Sequence, residues 1–101
     1  MTLQQLQYVV ALDTHRHFVK AAESCFVAQP TLTLQVKKLE DEVHLTIFNR
    51  SVKPLEPTIQ GAKFIVRARQ ILREVEGLKE MVNQDRQSVE GNFKLGVIPT
   101  L

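Results

Sequence analysis

The chain has 101 residues, 44% hydrophobic and 24% charged, which suits one small domain with an extension and argues against intrinsic disorder. Its net charge of +2 neither demands nor forbids a polyanionic partner. A lone cysteine (Cys25), no apolar run near the ~18 residues of a membrane span, and no basic, signal-like start at Met1-Thr2-Leu3-Gln4-Gln5 together predict a soluble, cytoplasmic protein.

Leu3, Leu6 and Val10 recur at helical spacing, with Val9 and Leu12 widening the stripe, so a helix is predicted from Leu3 to about Asp13. His15-Arg16-His17 breaks that pattern. A short second helix follows from Phe18 to Cys25, expected to bury Phe18, Ala21, Ala22 and Cys25, its adjacent alanines admitting another helix closely. Phe26-Val27-Ala28 makes a turn, and Pro30 suits the first turn of a third helix, where its missing N–H costs little. Leu32, Val36, Leu39 and Val43 form one continuous apolar face, and the helix should end near His44.

Two short extended pieces, Thr46–Asn49 and Lys53–Pro57, surround a turn; the prolines of the second confine it to an edge. They read as a small β-hairpin, a wing. Thr58 is a plausible N-cap for a long helix reaching about Gln87, uninterrupted by proline. Phe64, Ala68, Ile71, Val75, Leu78 and Val82 fall at 4-3-4-3-4 spacing, the pattern of a coiled-coil seam, so these residues are the candidate dimer interface. Ile65, Leu72 and Ile59 lie to one side and are candidates to dock on the preceding domain. Phe93–Ile98 reads as a strand without partners in this chain, the expected first strand of a further, missing regulatory domain. The predicted organisation is therefore mainly α: a winged helix-turn-helix over 1–57, a linker helix over 58–90, and the start of a truncated domain over 91–101.

Three short helices and a hairpin in this order imply DNA recognition by the third helix. Its first turn carries Gln29, Pro30, Thr31 and Thr33, the candidate base contacts. A glutamine amide can pair bidentately with an adenine edge, and threonine can meet a thymine methyl or a phosphate. The helix N-terminus is expected to add free N–H groups and partial positive charge. Leu34 and Gln35 are alternatives for the groove-facing position. Residues 1–57 hold six Lys/Arg and six Asp/Glu, yet from Ser24 to Leu39 the only charges are Lys37 and Lys38. Those two lysines are phosphate candidates, or else a solvated face paired with Glu40, Asp41 and Glu42. Arg50 and Lys53 bracket the wing turn and can reach phosphate or a narrow minor groove; Arg50 can equally anchor the hairpin to its own domain.

Residues 3–60 resemble the DNA-binding domain of LysR-type regulators, and the likeness continues through the linker helix to the end of the chain. It rests on Phe18…Ala21-Ala22, Val27-Ala28-Gln29-Pro30-Thr31-Leu32-Thr33, Lys38-Leu39-Glu40-Asp41-Glu42, Ile47-Phe48-Asn49-Arg50 and Thr58…Gly61. Within that family the chain is most similar to the peroxide-responsive type, through His15-Arg16-His17-Phe18, Ala22-Glu23-Ser24-Cys25, Leu72-Arg73-Glu74-Val75, Leu78-Lys79-Glu80-Met81 and Gly96-Val97-Ile98-Pro99-Thr100. The resemblance implies double-stranded DNA as partner, an inverted-repeat site, a homodimer through antiparallel linker helices, and often a tetramer of the intact protein. It carries base contacts onto Gln29, Pro30, Thr31 and Thr33, and a wing contact onto Lys53. Three residues depart from the pattern: His44 for a usual glycine, Leu34 for a small or basic residue, and Lys53 for an arginine, which alone has a planar fork.

An enzyme is not expected, since no nucleophile–base pairing or glycine-rich phosphate loop occurs. No cofactor, membrane or small-molecule ligand is predicted. His15, His17 and Cys25 lack any known zinc spacing; Cys25 reads as an inert core residue beside Phe18, Ala22 and Val27. The competing reading is a helical dimer that docks on a protein partner and binds DNA only nonspecifically.

Overall fold

The computed structural model describes residues 1–93. Among them, helices α1 (Leu3–His15), α2 (Phe18–Ser24) and α3 (Gln29–Val43) precede an antiparallel pair, β1 (Phe48–Asn49) and β2 (Glu56–Pro57). The long helix α4 (Ile59–Phe93) follows. The pair is in register as Phe48 with Pro57 and Asn49 with Glu56.

Each helix boundary has a local cause. Thr2 caps α1: its hydroxyl accepts from the Gln5 N–H, and the Gln5 side chain accepts from the Thr2 N–H, both at 3.0 Å. The helix runs two residues past the expected Asp13 and ends where Arg16 turns left-handed at φ 53°. His17 then caps α2, its Nδ1 accepting from the Lys20 N–H at 3.3 Å. That helix stops at Ser24, so Cys25 is its C-cap, not its last turn. A left-handed Phe26 (φ 59°) reverses the chain into α3, and a left-handed His44 (φ 55°) ends α3. Non-glycine residues in this region cost roughly 1–2 kcal/mol each.

The core is one cluster built from every element of the head. Leu6, Tyr8, Val9 and Leu12 of α1 meet Ala21 and Ala22 of α2, Leu32, Val36 and Leu39 of α3, and Ile47, Phe48 and Leu55 of the wing. The alanine pair is fully covered, as close helix approach requires. The predicted apolar stripes are displaced slightly. Leu3 is exposed and Tyr8 takes its place in the interior, while Phe18, Cys25 and Val43 are only half-buried. Cys25 therefore lies at the margin of the core.

The junction between head and long helix combines one close backbone approach with side-chain hydrogen bonds and apolar packing. Thr58 begins α4 as expected, accepting from the Gly61 N–H at 2.8 Å while donating to the Thr46 carbonyl at 2.6 Å. Gly61 lies so close to Ile47 that an added Cβ would collide with its carbonyl group, the physical reason for glycine here. Further along, Arg69 donates to Asp13 at 2.8 Å and to Thr14 at 3.2 Å, and Arg16 holds the other Asp13 oxygen at 2.9 Å. Ile65 is buried and Leu72 half-buried against the head, as predicted, but Ile59 is 83% exposed, so among the described residues it does not dock on the head as expected.

Two expectations for α4 change. The helix reaches Phe93, past the expected end near Gln87 and the assigned boundary at residue 90, and its 35 residues span about 52 Å. Phe93, expected to open a strand, is helical; the rest of that strand lies outside the described residues.

Candidate nucleic-acid interface

Helix α3 presents two faces. Leu32, Val36 and Leu39 are buried, while Pro30, Thr31, Leu34, Lys37, Lys38 and Asp41 are exposed on the other side. Gln29 and Thr33 flank that outer face and are half-buried. The four predicted base-contact residues thus lie together at one accessible helix start. Leu34 and Gln35 lie on different sides of the helix. Gln5 donates to the Gln35 amide oxygen at 3.1 Å, which turns Gln35 toward α1, whereas Leu34 is 54% exposed on the outer face.

Gln29 is preorganised. Its Nε2 donates to the Thr33 hydroxyl at 2.7 Å, and that hydroxyl donates its only proton to the Gln29 carbonyl at 3.0 Å. Because the hydroxyl can only accept from the amide, it fixes which end of the amide faces it. The second N–H and the Oε1 of Gln29 remain as an adjacent donor–acceptor pair, the pattern that matches an adenine edge. Thr33 is thereby a support for Gln29, and chiefly its methyl group is left for a base.

The expected array of free N–H groups is smaller than predicted. No side chain caps α3 at Ala28, Pro30 has no N–H, and the Thr31 N–H is already engaged with the Ala28 carbonyl at 3.1 Å. Of the first three helical positions, Gln29 alone offers an uncommitted backbone donor.

The acidic run Glu40-Asp41-Glu42 separates into three fates. Glu42 holds the N-terminal ammonium at 2.5 Å, and Asp41 faces Lys37 at 3.5 Å with both side chains well exposed. Glu40 is buried, 4% exposed, beneath the wing. Its Oε2 accepts from the Ile47 and Phe48 N–H groups at 2.6 and 3.2 Å. Its Oε1 sits 2.9 Å from Arg50 Nη2, an ion contact outside hydrogen-bond alignment.

Arg50 also lies over the Phe18 ring, 5.9 Å from its centroid. Its guanidinium therefore ties the wing to α3 and α2 at once, the anchoring role that was one of the two expected for it, while about a third of the side chain stays in solvent. Lys53 and Lys38 are exposed with no ion-pair partner among the described residues, and the exposed Lys37–Asp41 pair is weak enough to exchange for phosphate.

A family model for bacterial regulatory helix-turn-helix proteins, lysR family, matches residues 3–62. The chain belongs to that family. It is 44% identical over 101 residues to the DNA-binding transcriptional dual regulator OxyR of Escherichia coli K12, covering 100% of this chain and 33% of that protein. It superposes on full-length OxyR of Pseudomonas aeruginosa (a cysteine-to-aspartate variant) with TM-score 0.80 and 42% identity, over 83% of this chain and 28% of that one. A BenM DNA-binding domain in complex with benA site 1 DNA matches with TM-score 0.81 and 31% identity, over 85% of this chain and 97% of that one. The chain spans about a third of the length of the curated relatives it matches.

In this lysR-family chain the predicted seam divides. Ala68 is 1% exposed, covered by the head of its own chain, so it is not free to form a dimer seam as expected; Phe64 packs on the same cluster but is only half-buried. Ile71, Leu78 and Val82 are exposed at 42%, 59% and 45%, with Val75 half-buried between them. Heptad spacing carried no signal for this division. No described helix is long and apolar enough to cross a membrane, and no described group of His, Cys, Asp and Glu is arranged to hold a metal.

Proposed function

We propose that this chain is the DNA-reading part of a lysR-family transcription regulator of the peroxide-responsive type, acting on duplex DNA in the cytoplasm. It reads an inverted repeat as a dimer whose long helices pair through Ile71, Val75, Leu78 and Val82. The same arrangement allows tetramers of a longer protein. The observation that carries this reading is the outer face of α3, where Thr33 presents the Gln29 amide as a donor–acceptor pair beside exposed Pro30, Thr31 and Leu34. The match to a BenM domain in complex with DNA and the identity to OxyR proteins support it.

In this mechanism Gln29 and Thr31 read base edges, while Leu34, Pro30 and the Thr33 methyl meet apolar groups in the groove. Lys37, Lys38 and Lys53 neutralise phosphates on either side of that turn. Arg50 and Glu40 keep the wing at a fixed distance from α3, so Lys53 and Gln29 can engage one duplex together.

Selection of duplexes from a random library at about 150 mM salt is the test, since screening there suppresses loose electrostatic binding. An inverted repeat of fixed spacing is expected. Gln29→Ala should then lower discrimination at one base pair per half-site by about 1–3 kcal/mol, and Thr33→Val should lower it at the same base pair by less. Recovery of no motif would instead favour a helical interaction module that binds DNA only by charge.

A further inference from the structure

Phe26 is the most exposed large apolar residue among the described residues, at 94%. It sits in the turn between α2 and α3, with a left-handed backbone at φ 59°, a region an aromatic side chain disfavours. The turn itself does not need phenylalanine. It is closed by backbone bonds, Phe26 N–H to the Glu23 carbonyl and Val27 N–H to the Ala22 carbonyl, each at 3.1 Å, which glycine or asparagine would form equally well. Phe26 thus combines backbone strain with an unburied aromatic ring, and the chain's own fold gains from neither. A strained and exposed residue of this kind marks a contact with a partner.

Position decides the partner. Phe26 lies three residues before Gln29, in the turn that leads into the exposed start of α3. The stretch from Ser24 to Val36 carries no charge, so any contact made here is apolar or hydrogen-bonded. On duplex DNA the apolar groups within reach of a groove-reading turn are thymine methyls and deoxyribose faces, and phenylalanine is suited to a thymine methyl.

We infer that Phe26 is a specificity-determining residue that extends the α3 reading surface and contacts a thymine methyl at the flank of each half-site. This rests on the DNA-reading function proposed above.

The test uses the 101-residue chain and its selected duplex, with each dT replaced singly by dU to delete one methyl group. Phe26→Asn removes the ring and suits the left-handed turn, so it should raise Tm while weakening duplex binding roughly tenfold. The slope of affinity against salt should stay constant because no phosphate contact is lost. One dU position should weaken the wild-type chain and leave Phe26→Asn unaffected, and Phe26→Leu should retain part of that sensitivity. Equal affinities of wild type and Phe26→Asn, or identical dU profiles for both, would overturn the assignment and direct Phe26 to a protein partner. Gln29→Ala is the control. If it loses discrimination while Phe26→Asn loses nothing, only the Phe26 role fails; a wild-type chain that selects no duplex removes both.

Discussion

The two halves of the long helix carry the same apolar repeat and meet different fates. From Ile59 to about Arg69 the helix is part of the head: Ile65 and Ala68 are buried, Gly61 abuts Ile47, and Arg69 is locked to Asp13. From Ile71 to Val82 the repeat continues at unchanged spacing, yet Leu78 and Val82 remain in solvent. The period of an apolar pattern specifies which face of a helix seeks cover. Whether the cover comes from the same chain or from another depends on where the head ends.

Paired substitutions give the strongest test of that division, and the largest expected effect. Ala68→Glu places a charge where 1% of the residue is exposed, between α4 and the head. The cost, at least about 3–5 kcal/mol, is comparable to the whole stability of a small domain, so the chain should lose its cooperative melt. Leu78→Glu, at 59% exposure, should leave the helical signal and melt of the head intact while sedimentation shows monomers in place of dimers. Two folded monomers, or two unfolded chains, would show that the boundary between the halves is misplaced.

The head is itself held by one buried charge, which gives the next effect in size. Glu40 satisfies two wing N–H groups and faces Arg50, so Glu40→Gln leaves the guanidinium without its counter-charge under the wing. Because Arg50 is a third exposed and stays solvated, a loss of about 1–3 kcal/mol is expected in urea unfolding, confined to the head. Association through Ile71 to Val82 should be unchanged wherever the head remains folded. A variant that unfolds like wild type but dissociates more readily would mean that the wing and the distal helix are coupled.

Much of this architecture was legible in the residues, for reasons that differ by element. The face of α3 followed from Leu32, Val36 and Leu39, because a single apolar stripe on a short helix has one solution. The clustering of Gln29, Pro30, Thr31 and Thr33 followed from the proline at the helix start. The role of Glu40 was hidden because it reads as one of three consecutive acids; its place four residues after the buried Val36 was the available signal. The pairing of Gln29 with Thr33 is a side-chain geometry that composition cannot express. Phe26 was read only as turn material, since phenylalanine does not announce a left-handed backbone as glycine or asparagine would. Likewise Ala68 satisfies a heptad equally well against a partner or against its own head, and only the folded chain distinguishes the two.

The smallest expected effect lies at the other end of α3, and it separates the two regions in the opposite sense. His44 adopts φ 55° to let its own N–H and that of Leu45 reach the Glu40 carbonyl, a C-cap for which glycine carries no steric penalty. The His44 side chain is exposed and makes no hydrogen bond or ion pair among the described residues, so its removal forfeits neither. His44→Gly relieves the left-handed strain at the expense of a more flexible unfolded chain, for a net gain of about 1 kcal/mol. For a domain of this size that raises Tm by roughly 4–8 °C. The gain should appear in the melt of the head, with the dimer constant and the selected duplex unchanged, because the cap touches neither Leu78 nor Gln29. A fall in Tm would instead mean that histidine at this cap makes a favourable contact outweighing its strain, and that the departure from glycine is adaptive.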